Sequence, residues 1–218
     1  MDKMKKWENL IRLKESGLVA VIRRPKKSQI NYIAEALVEG GTGALEITLD
    51  TPGALDMIHE LKEKFQDKVL VGAGTVLDAI SAKSAIDAGS DFIFCPSFDI
   101  ETVQITNRYG RISIPGVMTP TEMVQAYSAG ADLLKVFPGA ALGENYIKDL
   151  QGPLGHIPMM PTGGVSVDNV ETFIKNGAVA VGAGGSLVDG KAIAEERYEV
   201  ITEISKEFVK RIQRARSK

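Results

Sequence analysis

The sequence predicts a single (β/α)8 barrel, and three observations carry that expectation. Short apolar runs alternate with longer amphipathic stretches along the whole chain, the strand-like runs number eight, and one local grammar recurs between them. "SAIDAGSDF", "AYSAGADLL" and "FIKNGAVAV" each read as helix, glycine stop, next strand. Strict alternation makes the strands parallel, because every return crossover carries a helix. Eight such units in 218 residues suit a closed barrel. An open doubly wound sheet is the alternative. Against it, no strand leads into a complete G-x-G-x-x-G dinucleotide fingerprint: "GAGTVL" and "GAGGSL" both lack the final glycine.

Residues 3–16 form a charged, amphipathic helix that is expected to plug the barrel's N-terminal end. The strands follow at 18–23 (LVAVIR), 43–48 (GALEIT), 68–74 (KVLVGAG), 91–96 (DFIFCP), 111–116 (RISIPG), 132–137 (DLLKVF), 157–162 (IPMMPT) and 178–184 (AVAVGAG). Between them, "SQINYIAEALVEGG", "PGALDMIHELKEKF", "DAISAKSAIDAG" and "TPTEMVQAYSAG" space apolar residues by three and four, the mark of an outer helix with one buried face. Asp99 and Glu101 begin the fourth outer helix, where negative charge suits the dipole. "AIAEERYEVITEISKEFVKRIQRARSK" supplies the last one, its basic end matching the negative end of the dipole. A solvated helix end explains those arginines more plainly than a nucleic-acid patch does. No linker or low-complexity tract divides the chain, so residues 1–218 read as one domain, with 1–17 leading into the barrel.

Composition narrows the function. A net charge of −2 gives no basic bias for a nucleic-acid backbone. A single cysteine, Cys95, excludes an internal disulfide framework, and with no apolar signal core or membrane-length run the expected compartment is the cytoplasm.

In such barrels chemistry sits at the C-terminal ends of the strands. The polar residues there are Arg23, Glu46, Thr48, Thr75, Lys135 and Thr162. Alternation puts Ala44, Glu46 and Thr48 on one face and Leu133, Lys135 and Phe137 on another, so Glu46 and Lys135 are expected to point inward. An ion pair that only fixes packing is the bland explanation, but stability is a weak reason to keep a buried pair. Burial disfavours the ammonium form of Lys135 and leaves a neutral amine able to attack a carbonyl. The resulting Schiff base withdraws electrons, a neighbouring C–C bond can break through an enamine, and Glu46 is the carboxylate placed to shuttle protons.

A second group is built on glycine. "PTGGVS" follows the seventh strand and "GAGGSLV" the eighth, the two loops that bind phosphate in many barrels. Gly163, Gly164, Gly184 and Gly185 let backbone N–H groups approach an anion, and Ser186 adds a hydroxyl. Tight turns alone would also use glycine, and a carboxylate or hydroxyl-rich tail would fit the same cradle. His59 and His156 have no partner at metal-ligand spacing and read as surface residues. Cys95, without a histidine base, reads as a small core residue.

Taken together, "LEIT" with Glu46, "VGAGTV" with Thr75, "PGVMTPTE", "LLKVFPG" with Lys135, "PTGGV" and "GGS" resemble, in order and approximate spacing, the 2-keto-3-deoxy-6-phosphogluconate/4-hydroxy-2-oxoglutarate aldolase family of class I aldolases. The likeness runs from about residue 15 to 210. It implies a (β/α)8 barrel, a homotrimer, and retro-aldol cleavage that releases pyruvate with no metal or cofactor, in carbohydrate breakdown of the Entner–Doudoroff kind. It also implies that Lys135 forms the Schiff base and Glu46 moves protons through a water. By the same resemblance Thr75 and Arg23 hold carboxylate or hydroxyls, Pro96 and Phe137 shape the pocket, and Thr162, Gly163, Gly164 and Ser186 hold the distal or phosphate end. One departure stands out. Phosphogluconate-cleaving members read Glu-hydrophobic-Thr-Leu-Arg, whereas "EITLD" puts Asp50 in the arginine's place. Either Arg23 takes the carboxylate alone, or Asp50 turns away to cap the next helix. Two other functions compete: a phosphate-binding barrel isomerase or synthase, which shares the glycine loops without needing the lysine, and a non-catalytic sugar-acid binding protein.

Overall fold

Pro115 breaks the fifth expected strand in two. A proline has no N–H to give a ladder, so the computed structural model carries β5 (Ile112–Ile114) and β6 (Gly116–Val117) where one strand was expected. The structure describes residues 4–217. Residue 3 of the expected leading helix, and residues 1, 2 and 218 of the expected domain, lie outside the described residues. The other strands are β1 (Leu18–Ile22), β2 (Ala44–Thr48), β3 (Leu70–Gly74), β4 (Phe92–Phe94), β7 (Leu134–Val136), β8 (Met159–Pro161) and β9 (Val181–Ala183), each inside its expected run.

Helices separate them: α1 (Lys5–Ser16), α2 (Ile30–Glu39), α3 (Ala54–Phe65), α4 (Ala79–Asp87), α5 (Ile100–Arg108), α6 (Pro120–Ser128), α7 (Gly139–Leu142), α8 (Glu144–Leu154), α9 (Val170–Lys175), α10 (Gly190–Ala194) and α11 (Tyr198–Arg216). Their ends follow from local chemistry. Asp78, Asp99 and Asp189 accept the N–H groups of Ser81, Thr102 and Ala192 at the starts of α4, α5 and α10. Thr119 and Glu122 form a capping box on α6, with Pro120 at its first position. The last expected helix is two, because the chain turns at Glu196 (φ +55°) between α10 and α11.

All strand pairings are parallel. A six-stranded sheet runs β5-β4-β3-β2-β1-β9 and a three-stranded one β6-β7-β8. Backbone bonds also join the edges of the two sheets: Leu133 N–H reaches Ser113 O (3.4 Å), and Val179 N–H reaches Met159 O (3.0 Å). Thr162 and Gly182 add a parallel bridge.

The sheet curls, and its two faces pack into different cores. On β1, Leu18, Ala20 and Ile22 join Ile33, Leu37, Ile58 and Leu61 of the helices. Val19 and Val21 instead meet Ala44, Leu70, Phe92, Phe94, Ile112, Ile114, Leu133 and Met160 in an inner cluster drawn from both sheets. Leu13 of α1 belongs to this inner cluster, so the leading helix seals one end as expected. Lys6 ties it down through Asp132 at 2.9 Å, and Asn9 through Asp91 at 3.4 Å. The C-terminal arginines are exposed, as expected, and also engaged. Arg214 pairs with Glu171, and Arg216 donates to the carbonyls of Lys14, Glu15 and Val179. Among the described residues no helix is long and apolar enough to cross a membrane.

Candidate active site

Two ionisable side chains interrupt the apolar inner face. Glu46 of β2 and Lys135 of β7 are 1% and 5% exposed. Each shares strand parity with an inner-cluster residue, Ala44 and Leu133 respectively, which fixes its direction. Lys135 Nζ lies 4.1 Å from the centroid of the Phe94 ring and 4.7 Å from that of Phe137. Among the described residues it has no ion-pair partner. Burial drives the Lys135 amine below its ordinary lysine value; Glu46 and Cys95 pull the other way, and Arg23 pushes it further down.

Glu46 shows the opposite displacement. Burial lifts its carboxyl to about 7, against the pull of Lys135 and Arg23 and with a push from Asp50. Its Oε2 has no hydrogen-bond partner. Its Oε1 occupies the space above Gly74, where a methyl would stand 1.6 Å away. An amine biased toward neutrality and a carboxyl poised near neutral pH thus share one buried interior. That pairing allows a nucleophile and a proton carrier to act together.

The β1–α2 and β2–α3 loops meet at Asp50. Arg23 Nη1 donates to both Asp50 oxygens at 3.2 Å, and Arg24 Nε donates to Oδ2 at 2.9 Å. Arg23 Nη2 reaches Thr75 Oγ1 at 3.4 Å. Desolvation raises the Asp50 carboxyl, but the Thr48 hydrogen bond and then the two arginines hold it below the ordinary value. Asp50 therefore does not turn away to cap α3. That helix starts on Gly53 (φ +74°), with no side-chain cap. Arg23 shares Asp50 with Arg24. The sequence reading missed Arg24; its signal was the doubled arginine after the first strand.

The glycine loops come together beside the lysine. A methyl on Gly163 would touch the Phe137 ring at 3.2 Å, so this loop continues the wall that begins at Lys135. The N–H of Gly139 reaches Thr162 O (2.7 Å) and that of Ala140 reaches Gly163 O (2.9 Å). Gly163 and Gly164 adopt φ of +89° and +75°, a region open to glycine at little cost. Ser186 Oγ donates to Val165 O at 2.5 Å and links the two loops. Among the described residues the N–H groups of Gly163, Gly164, Gly185 and Ser186 meet no acceptor. Gly184 turns its carbonyl to the N–H groups of Leu187 and Val188. Pro96 closes against Gly116, where a methyl would stand 2.3 Å from its carbonyl.

The remaining candidates play other parts, although Cys95 lies near enough to act on the Lys135 charge. His59 is exposed on α3, 3.4 Å from Glu63, and His156 packs edge-on to Tyr127. Burial pushes the Cys95 thiol up to about 12, which fits a core residue. Asp99 caps α5 and Glu101 lies in its first turn. Among the described residues no three His, Cys, Asp or Glu side chains group as metal ligands.

A parallel α/β fold that brings a buried amine and a buried carboxyl to its inner face, with glycine loops alongside, belongs to the class I aldolases, a class of lyases. The comparisons give the family. A family model described as KDPG and KHG aldolase matches residues 10–204, and the chain belongs to that family. The 2-dehydro-3-deoxy-6-phosphogalactonate aldolase of Escherichia coli K12 is 33% identical over 171 residues, 78% of this chain and 83% of the relative. A solved structure described as native KDPGal superposes with a TM-score of 0.85 at 31% identity, covering 92% of this chain and 96% of the other. The KDPG aldolase of Legionella pneumophila, with pyruvate captured at low pH as a covalent carbinolamine, superposes at 0.83 and 30% identity, covering 90% and 95%.

Proposed function

We propose that this aldolase cleaves a 2-keto-3-deoxy sugar acid, phosphorylated or not, or 4-hydroxy-2-oxoglutarate, to pyruvate and an aldehyde through a Schiff base on Lys135. The aldehyde is glyceraldehyde 3-phosphate from the six-carbon phosphorylated substrate and glyoxylate from the other. The observation that carries this reading is the burial of Lys135 Nζ against Phe94 and Phe137, with its basicity lowered by that burial.

The neutral amine adds to the C2 carbonyl, and the carbinolamine loses water to give an iminium. A base then takes the proton of the C4 hydroxyl. The C3–C4 electron pair moves into the enamine, the aldehyde leaves, and C3 gains a proton before water releases pyruvate. The iminium is the electron sink, so the step calls for no metal. Glu46, directly or through a water, takes and returns the protons, and a carboxyl near 7 can do both. Arg23 and Thr75 hold the pyruvate carboxylate, Pro96 and Phe137 shape the pocket, and Thr162, Gly163, Gly164, Gly184, Gly185 and Ser186 cradle the far end.

The framework of this reading is one domain, a closed (β/α)8 barrel in which β5 and β6 count as one strand. The bond from Leu133, just before β7, to Ser113 and the Thr162–Gly182 bridge support closure at both seams. The protein works as a cytoplasmic homotrimer in sugar-acid breakdown of the Entner–Doudoroff kind. Pyruvate and borohydride test the chemistry. The reduced adduct should map to Lys135 by peptide mass spectrometry and disappear in Lys135→Ala. An adduct that persists in the variant would place the chemistry on another residue.

A further inference from the structure

Arg24 is held in a costly conformation. Its φ of +51° lies in the left-handed region, which is unfavourable for a residue with a Cβ. Two bonds keep it there: its N–H donates to Thr51 Oγ1 at 3.0 Å, and its Nε to Asp50 at 2.9 Å. Only Nε is used, so among the described residues the two Nη groups have no acceptor. They belong to a side chain that is 69% exposed yet fixed at its base.

A cavity of about 540 Å3 opens beside it, between the β1–α2 loop and the turn after β9. Arg23, Arg24 and Lys26 supply three cations to its lining, Gln29 an amide, and Gly184 and Gly185 backbone. No carboxylate lines it. Among the described residues Lys26 Nζ makes no ion pair or hydrogen bond, so its charge is not spent inside the chain. Asp50, the carboxylate that meets these arginines, is shared by Arg23 and by Arg24 Nε. A strained backbone, a buttressed guanidinium with free donors and a wall of three cations, two of them sharing one carboxylate, converge on one space. That space shares Arg23, Gly184 and Gly185 with the candidate active site.

We infer that Arg24 and Lys26 are specificity-determining residues that hold an anionic group at the far end of the substrate, a phosphate or a second carboxylate. Asp50 thereby serves as the buttress that aims Arg24, instead of contacting substrate. This rests on the aldolase reading above. The shared chemistry is a distal anion beyond C4, held by charge-assisted hydrogen bonds from Arg24 Nη and attraction to Lys26.

The test compares three 2-keto-3-deoxy acids of equal chain length that end in a phosphate, a carboxylate or a neutral hydroxyl. Arg24→Gly, which relieves the φ constraint and keeps the backbone N–H, is combined with Lys26→Ala. The ratio of kcat/KM for an anionic over the neutral substrate should fall roughly tenfold or more. The anion with the larger fall identifies the natural head group. A ratio that stays constant for both anions, whether or not overall activity drops, overturns the inference. Pyruvate trapping on Lys135 is run alongside. No adduct in the unaltered protein removes the aldolase reading itself, whereas a normal adduct with a constant ratio removes only the role of Arg24 and Lys26.

Discussion

Glu46 carries a cost that the fold alone does not explain. Its folded-state carboxyl sits near 7 against an ordinary 4.5, so between those two pH values the folded chain holds a proton that the unfolded chain releases. Stability therefore falls as pH rises through that window, the reverse of a paired carboxylate. Three measurements follow for Glu46→Gln. Thermal unfolding compared at pH 5 and pH 8 should show a smaller loss at the higher pH than in the unaltered protein. The rate should drop by about 10^2 to 10^4, the usual worth of general acid–base catalysis. The free enzyme's kcat/KM for cleavage should rise through pH about 7, where Glu46 becomes a base, and that inflection should vanish in the variant. An inflection that survives Glu46→Gln would assign the proton transfer elsewhere.

At the scale of the element, β3 makes room for that carboxyl. The register sets Gly72 beside Glu46 and Gly74 beside Thr48, and Oε1 leans over Gly74. Gly74→Ala forces Glu46 to move, because the new methyl would overlap its oxygen. Gly72→Ala is the matched control, since the atoms nearest its methyl are those of the Phe92 ring, at about 2.4 Å. Both should lose about 1–3 kcal/mol to overpacking. Only Gly74→Ala should also shift the pH inflection near 7. Equal profiles would reduce Gly74 to a packing residue. This element also separates what can be read along the chain from what cannot. Alternation on GALEIT and DLLKVF placed Glu46 and Lys135 inward, and the paired glycines marked two loops, because both signals are local. The Gly74 requirement, the Asp50 buttress and the Phe94 ring under Lys135 each join residues from different strands or loops. No spacing rule within one segment reveals such contacts. The split at Pro115 was visible as a proline, but its effect depends on the ladder it interrupts.

At the scale of the molecule, large apolar side chains stand exposed on several helices. Leu77, Ile80 and Ile100 stand exposed on and before α4 and α5, and Val124 and Tyr127 on α6. Ile80 is 82% exposed, and with Leu55 it lines a cavity of about 500 Å3. Single exposed apolar residues need no explanation, but several on neighbouring helices mark a surface that gains by being covered. The same chain is the natural cover, since most soluble oligomers are symmetric assemblies of one subunit. The family resemblance implies three copies, so sedimentation equilibrium should give roughly three times the 23.5 kDa of one chain. Ile80→Lys places a charge where burial is expected, and charge desolvation in a closed interface is expensive. It should shift the distribution toward lighter species in a concentration-dependent way, while far-UV circular dichroism of the variant stays that of the parent. A monomer at micromolar concentration in the unaltered protein would remove the assembly. An intact trimer in Ile80→Lys would move its interface away from α4.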